Sequence, residues 1–220
     1  MKICFILGFC HNYVEKKLPW SRSAIKNTKE KGGNQIPRYA ILVNDMLNDF
    51  VDGKLRCERV GQLVPKIKSF IETARQKNVP LFYCNDEHLL QDAYEFKLWG
   101  PHAIKGSEGA KVVDQLKPAR VDYVIPKRTY SSFKGTDLHK FLRPIYNGIG
   151  CNTVILLGVH THICIKHTAF DAFVRGFNII VAEDGVTAFT EQDHLSGLEY
   201  MKRNYGVSIK KISDITNSIS

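Results

Sequence analysis

The chain has 220 residues, 44% apolar and 24% charged, enough for one sizeable core. No apolar run approaches the ~20 residues of a membrane helix, which argues against a membrane-embedded protein. The net charge of +9 suggests a polyanion partner until its placement is read: eight basic and two acidic residues fall within the first 38 positions, leaving +3 for the rest. With no aromatic-and-basic patches, that balance argues against nucleic acid as a partner.

Residues 1–37 read as a basic N-terminal extension and 38–220 as the folded domain. The opening MKICFILGFC pairs a charge with a short apolar run, but HNYVEKK supplies no small-residue cleavage site. A targeting element and a loosely docked tail both stay open there. The six cysteines, at 4, 10, 57, 84, 151 and 164, form no CxxC pair. They read as reduced thiols of a cytoplasmic protein.

From Arg38 the pattern becomes regular. RYAILVND is a continuous apolar run, as expected of a strand buried on both faces. About 17 residues at helical spacing follow, carrying Val60, Leu63, Val64, Ile67, Phe70, Ile71 and Ala74. NVPLFYCND and VDYVIPK are the second and third strands. TDLHKFLRPIYNGIG reads as a helix capped by Thr136. TVILLGV is the fourth strand, HICIKHTAFDAFVRG a helix, FNIIVAED the fifth strand, EQDHLSGLEYMKRNYG a helix, and VSIKKI the sixth strand. This alternation predicts a three-layer α/β/α domain with a six-stranded, mainly parallel sheet.

Ligands of such sheets gather at the C-terminal strand ends. Asp45 follows strand one, Asp86 and His88 strand two, Lys127 strand three and Cys164 strand four. Cys164 has a plain reading as a small buried hydrophobe. Its neighbours favour chemistry. A helix start and a nearby lysine would lower its pKa, and Asp45 could take its proton. Asp86, His88, Glu95 and His102 lie within seventeen residues, a donor set that suits a zinc-like ion or an Asp–His hydrogen-bond network.

AILVNDMLNDF, IPKRTYSSFKGTDL and LLGVHTHICIKHTAFDA resemble, in order, motifs of the isochorismatase-like cysteine hydrolases. The resemblance spans about residues 38–212. It implies an Asp45–Lys127–Cys164 triad, and a cis peptide joining Val159 and His160 that turns the His160 N–H inward. With the Cys164 N–H this would form an oxyanion hole. Isochorismatases proper mostly lack the cysteine, so Cys164 implies amide or related acyl chemistry. Homodimers or homotetramers are usual in the family. Gly158 fits a loop where backbone approaches substrate. Position 160 often carries a smaller residue.

NDEHLLQDAYEFKLWGPHAIKGSEGA is similar to the metal loop of nicotinamidases, which implies divalent-metal ligands at Asp86, His88, Glu95 and His102, with zinc expected. Glu87 and Ala103 depart from that pattern, where an aromatic residue and a cysteine are common. Phe50, Trp99, Tyr130 and Phe133 are candidate pocket residues, each with an alternative place in the core or at a subunit contact. His167, Asp171 and Arg175, spaced i, i+4, i+8, read as a structural stripe. The implied activity is hydrolysis of a small-molecule amide through a thioester, with nicotinamide the expected substrate. N-carbamoyl or ureido amides are the alternative substrates, and a catalytically silent binding protein is the alternative class.

Overall fold

The structure is a computed structural model and describes residues 36–219. The expectations about residues 1–35 lie outside that range. Among the described residues, no helix is long and apolar enough to cross a membrane.

Six strands form one sheet: β1 (Tyr39–Asn44), β2 (Leu81–Asp86), β3 (Tyr123–Lys127), β4 (Thr153–Val159), β5 (Asn178–Thr187) and β6 (Ser208–Lys210). Their order is β3-β2-β1-β4-β5-β6, and every pair is parallel. Strand direction of growth reverses between β1 and β4, the switch point where such sheets open a crevice.

Strand parity sorts the core into two layers. Ile41, Val43, Tyr83, Ile155 and Leu157 face α2 (Val64–Gln76) and α7 (Ile212–Ser218). Ala40, Leu42, Phe82, Val154 and Leu156 face the side of α4 (Leu138–Leu142), α5 (Lys166–Phe173) and α6 (Glu191–Tyr205). The central strands β1, β2 and β4 are buried on both faces, which is why they read as unbroken runs, whereas β3 and β6 at the edges are partly exposed.

The helices depart from expectation at their ends. Pro65 starts α2 later than the apolar spacing suggested, leaving Val60 and Leu63 as buried turn residues. Thr136 Oγ1 does accept from Leu138 N, at 3.2 Å. The helix that follows, with Asp137 at its N-cap, stops at Leu142, because Pro144 follows and Tyr146, Asn147, Gly148 and Gly150 take positive φ. The sixth strand is cut short: Asp184 accepts from Ile212 N at 2.8 Å, and the chain turns into α7. Two short helices, α1 (Asn48–Val51) and α3 (Ala93–Trp99), stand where loops were expected.

Candidate active site

Asp45, Asp86, Lys127 and Cys164 meet at the C-terminal edge of β1 to β4. Lys127 is fully buried, and its Nζ lies 2.8 Å from Asp45 Oδ2, 2.6 Å from Asp86 Oδ1 and 3.7 Å from Cys164 Sγ. Asp45, Asp86 and Cys164 offer side-chain atoms within 4.8 Å of one another. Asp45 sits just past β1 at φ 54°, and its Oδ1 accepts from Asp86 N at 2.7 Å. Burial and the adjacent Asp86 push its pKa up to about 7, against the pull of Lys127.

The thiol differs from expectation. Burial outweighs the attraction of Lys127 and holds the Cys164 pKa well above its ordinary value. The resting group is therefore a thiol that needs a base during attack, rather than a preformed thiolate. Nor does Cys164 open a regular helix. It lies in a wide turn, Thr161–Ile165, closed by Ile165 N donating to His160 O, before α5 begins.

The Val159–His160 peptide is cis, as the resemblance implied. Gly158, at φ +100°, serves a different contact from the one expected. A Cβ there would stand 1.9 Å from Asn44 O, so the glycine admits the β1 backbone rather than a substrate. Behind the edge, Ser132 Oγ donates to Asn44 Oδ1 at 2.6 Å and Thr168 Oγ1 to Ser132 Oγ at 3.2 Å, tying β1 to α5.

Asp86, His88, Glu95 and His102 offer donor atoms within 4.8 Å of one another. His88 reaches the cluster just past β2 and Glu95 from α3. His88 Nε2 is 3.7 Å from Asp86 Oδ1 and 3.6 Å from Glu95 Oε2. His102 hydrogen-bonds Gly100 O through Nδ1, at 2.9 Å, which leaves Nε2 for another partner. His88 Nδ1 faces Asp92 Oδ2 at 3.5 Å, and neither His88 Nε2 nor Glu95 Oε1 has a hydrogen-bond partner, although both are buried. Buried polar atoms rarely stay unpaired, and two imidazoles with two carboxylates are a fitting donor set for a divalent ion. Asp49 holds the loop in place, its Oδ2 accepting from Ala103 N at 2.8 Å. Sequence reasoning missed Asp49.

A half-open cleft lies beside Cys164. Phe50, Trp99 and Tyr130 line it as expected, and so do His160 and Phe189. Trp99 Nε1 donates to Tyr130 Oη at 3.0 Å. Phe133 does not belong to this wall. It packs with Phe82, Ile125 and Leu138 in the core and stacks on Phe177. Phe189 follows the end of β5, and the strand-end rule could have found it had the strand been carried to Thr187. His167, Asp171 and Arg175 stay structural: His167 Nδ1 bonds Ile163 O, and Arg175 pairs with Asp171 at 2.6 Å.

A buried carboxylate, a lysine and a thiol thus meet at one edge of a parallel sheet, a set of groups suited to a hydrolase. The chain belongs to the isochorismatase family, its residues 39–212 matching the Isochorismatase domain. It is 32% identical over 179 residues to enterobactin synthase component B of Escherichia coli (strain K12), covering 77% of this chain but 59% of that protein. The chain thus spans less than two thirds of the length of that relative. Among solved structures, N-carbamoylsarcosine amidase from Thermoplasma acidophilum is 39% identical, with TM-score 0.73 over 80% of this chain and 96% of that one. Nicotinamidase/pyrazinamidase PncA from Bacillus subtilis is 30% identical, with TM-score 0.73 over 79% and 100%. Pyrazinamidase of Pyrococcus horikoshii, solved in complex with zinc, is 29% identical, with TM-score 0.72 over 80% and 99%.

Proposed function

We propose that the protein is a cysteine amidohydrolase that converts nicotinamide to nicotinate and ammonia. One observation carries the substrate choice. The four-donor cluster, whose His88 Nε2 and Glu95 Oε1 lack hydrogen-bond partners, adjoins the cleft beside Cys164 that is walled by Phe50, Trp99, Tyr130 and Phe189. Four aromatic walls suit one small planar ring.

Asp45 takes the thiol proton as Cys164 Sγ attacks the carboxamide carbon. The amide N–H groups of His160 and Cys164 receive the carbonyl oxygen as it becomes negative. The C–N bond breaks, the nitrogen leaves as ammonia with the proton from Asp45, and a thioester remains. Water, giving a proton to Asp45, cleaves the thioester to the carboxylate, and the proton returns to sulfur. Lys127 holds Asp45 in place throughout. A divalent ion held by Asp86, His88, Glu95 and His102 would supply a Lewis-acid site for the pyridine nitrogen.

The 39% identity to an N-carbamoylsarcosine amidase favours a second reading, hydrolysis of an N-carbamoyl amino acid. Such a substrate carries a carboxylate, yet among the described residues that line the cleft there is no lysine or arginine. Ammonia release from nicotinamide and from N-carbamoylsarcosine, by zinc-loaded protein and its Cys164→Ala variant, separates the readings. Cys164-dependent release from nicotinamide is expected. Release from N-carbamoylsarcosine alone would replace the first reading with the second.

A further inference from the structure

His160 has a side chain that the chemistry above does not use. It is 4% exposed, and neither Nδ1 nor Nε2 has a hydrogen-bond partner. The ring stacks on Phe189, with centroids 4.0 Å apart, and meets Phe50 edge-on at 5.7 Å. His160, Phe50, Phe189 and Cys164 line the same cleft. The imidazole stands outside the four-donor cluster, so a metal ion there would not satisfy it. Burial, helped by His162, pushes its pKa down to about 3. The ring is thus neutral near pH 7, with one N–H donor and one bare acceptor nitrogen.

A buried polar atom without a partner forfeits the hydrogen bonds it had in water, and natural interiors rarely tolerate this. At the wall of a substrate cleft, the missing partner can arrive with the substrate. Nicotinamide has few polar atoms to offer. In the proposed pose its ring nitrogen faces the four-donor cluster, and its carbonyl oxygen faces the amides of His160 and Cys164. Only the amide nitrogen is left, and it carries two N–H donors.

We propose that the bare ring nitrogen of His160 accepts a hydrogen bond from the substrate's amide nitrogen, the atom that departs as ammonia. This makes His160 a recognition residue for primary carboxamides. The inference rests on the nicotinamidase reading. It concerns the side chain alone, since any residue at position 160 keeps the backbone N–H.

The test compares wild-type protein, His160→Phe and His160→Gln, all full-length and zinc-loaded. Each is assayed for kcat/KM on nicotinamide and on methyl nicotinate, an ester with the same ring and no N–H. His160→Phe should lose more on nicotinamide than on the ester, by up to roughly tenfold, as expected for about one hydrogen bond. His160→Gln, whose carbonyl still accepts, should recover part of the loss. The thermal midpoint of His160→Phe should be no lower than that of wild type, because the removed atoms had no partner. Equal losses on amide and ester, or a clearly lowered midpoint in both variants, would overturn the proposal. Wild-type protein that hydrolyses the ester but spares nicotinamide would overturn both this proposal and the nicotinamidase reading. Nicotinamide turnover that His160→Phe leaves unchanged would overturn this proposal alone.

Discussion

Asp86 places its Oδ1 2.6 Å from Lys127 Nζ, and the same oxygen lies 3.7 Å from His88 Nε2. One carboxylate therefore joins the lysine beside Cys164 to the donor cluster beside the cleft. Lys127 and His88 together outweigh the effect of burial and hold its pKa below the ordinary carboxylate value. The charge of Asp86 is thus available to both sets of residues.

Asp86→Asn separates these two duties. Lys127 keeps Asp45 at 2.8 Å, so a buried ion pair survives and stability should change by only about 1 kcal/mol. Zinc affinity should fall at least as far as the roughly 100-fold upper end for losing an outer-shell partner, since a direct donor is removed. Chelator competition and a urea melt measure the two effects. Unchanged zinc affinity would remove Asp86 from the donor set.

Lys127→Met should behave in the opposite way. It leaves Asp45 and Asp86 buried side by side, with no cation between them. Breaking a buried ion pair from one side costs about 3–5 kcal/mol, so the variant should unfold at much lower urea at pH 7. Cys164→Ala deletes only the thiol and should stay within about 1–2 kcal/mol of wild type while losing Cys164-dependent hydrolysis. A Lys127→Met protein as stable as Cys164→Ala would mean that a proton on Asp45, whose pKa already lies at about 7, can take the place of the cation.

Gly158→Ala tests the backbone contact at the switch point. The new Cβ would meet Asn44 O at 1.9 Å, at a φ of +100° that L side chains rarely adopt. The neighbour is backbone in β1 and cannot rotate away. A loss of about 3 kcal/mol or more in urea melts is expected. A near-neutral variant would show that β1 and β4 can separate locally at little cost.

Much of this was legible because the central strands are buried on both faces. Unbroken apolar runs such as AILVN and TVILLGV mark parallel strands, and strand ends then locate Asp45, Asp86, Lys127 and Cys164. What periodicity cannot carry was missed. Helix α3, which delivers Glu95, is only seven residues long and has no side-chain cap. Tyr130 and Phe133 lie three apart in irregular backbone, so nothing local shows that one faces the cleft and the other the core. The thiol's raised pKa is likewise a property of burial, set by residues far apart in the chain.

His160 also contributes to how the fold responds to acid. Its folded pKa is down at about 3, below the ordinary 6.5, because burial and His162 disfavour its charge while Asp86 only partly compensates. Between these values the unfolded chain binds a proton that the folded chain refuses. The stability linked to His160 is therefore fully present above about pH 6.5 and is lost as pH falls toward 3. One such proton changes stability by at most about 1.4 kcal/mol per pH unit. Asp45, with its pKa raised to about 7, contributes with the opposite sign over the same range, so the quantity to read from urea melts between pH 7 and pH 4 is the difference in slope between wild type and His160→Phe. Parallel slopes in the two proteins would mean that the imidazole is already paired or solvated in the folded state, and that the acid sensitivity resides in other groups.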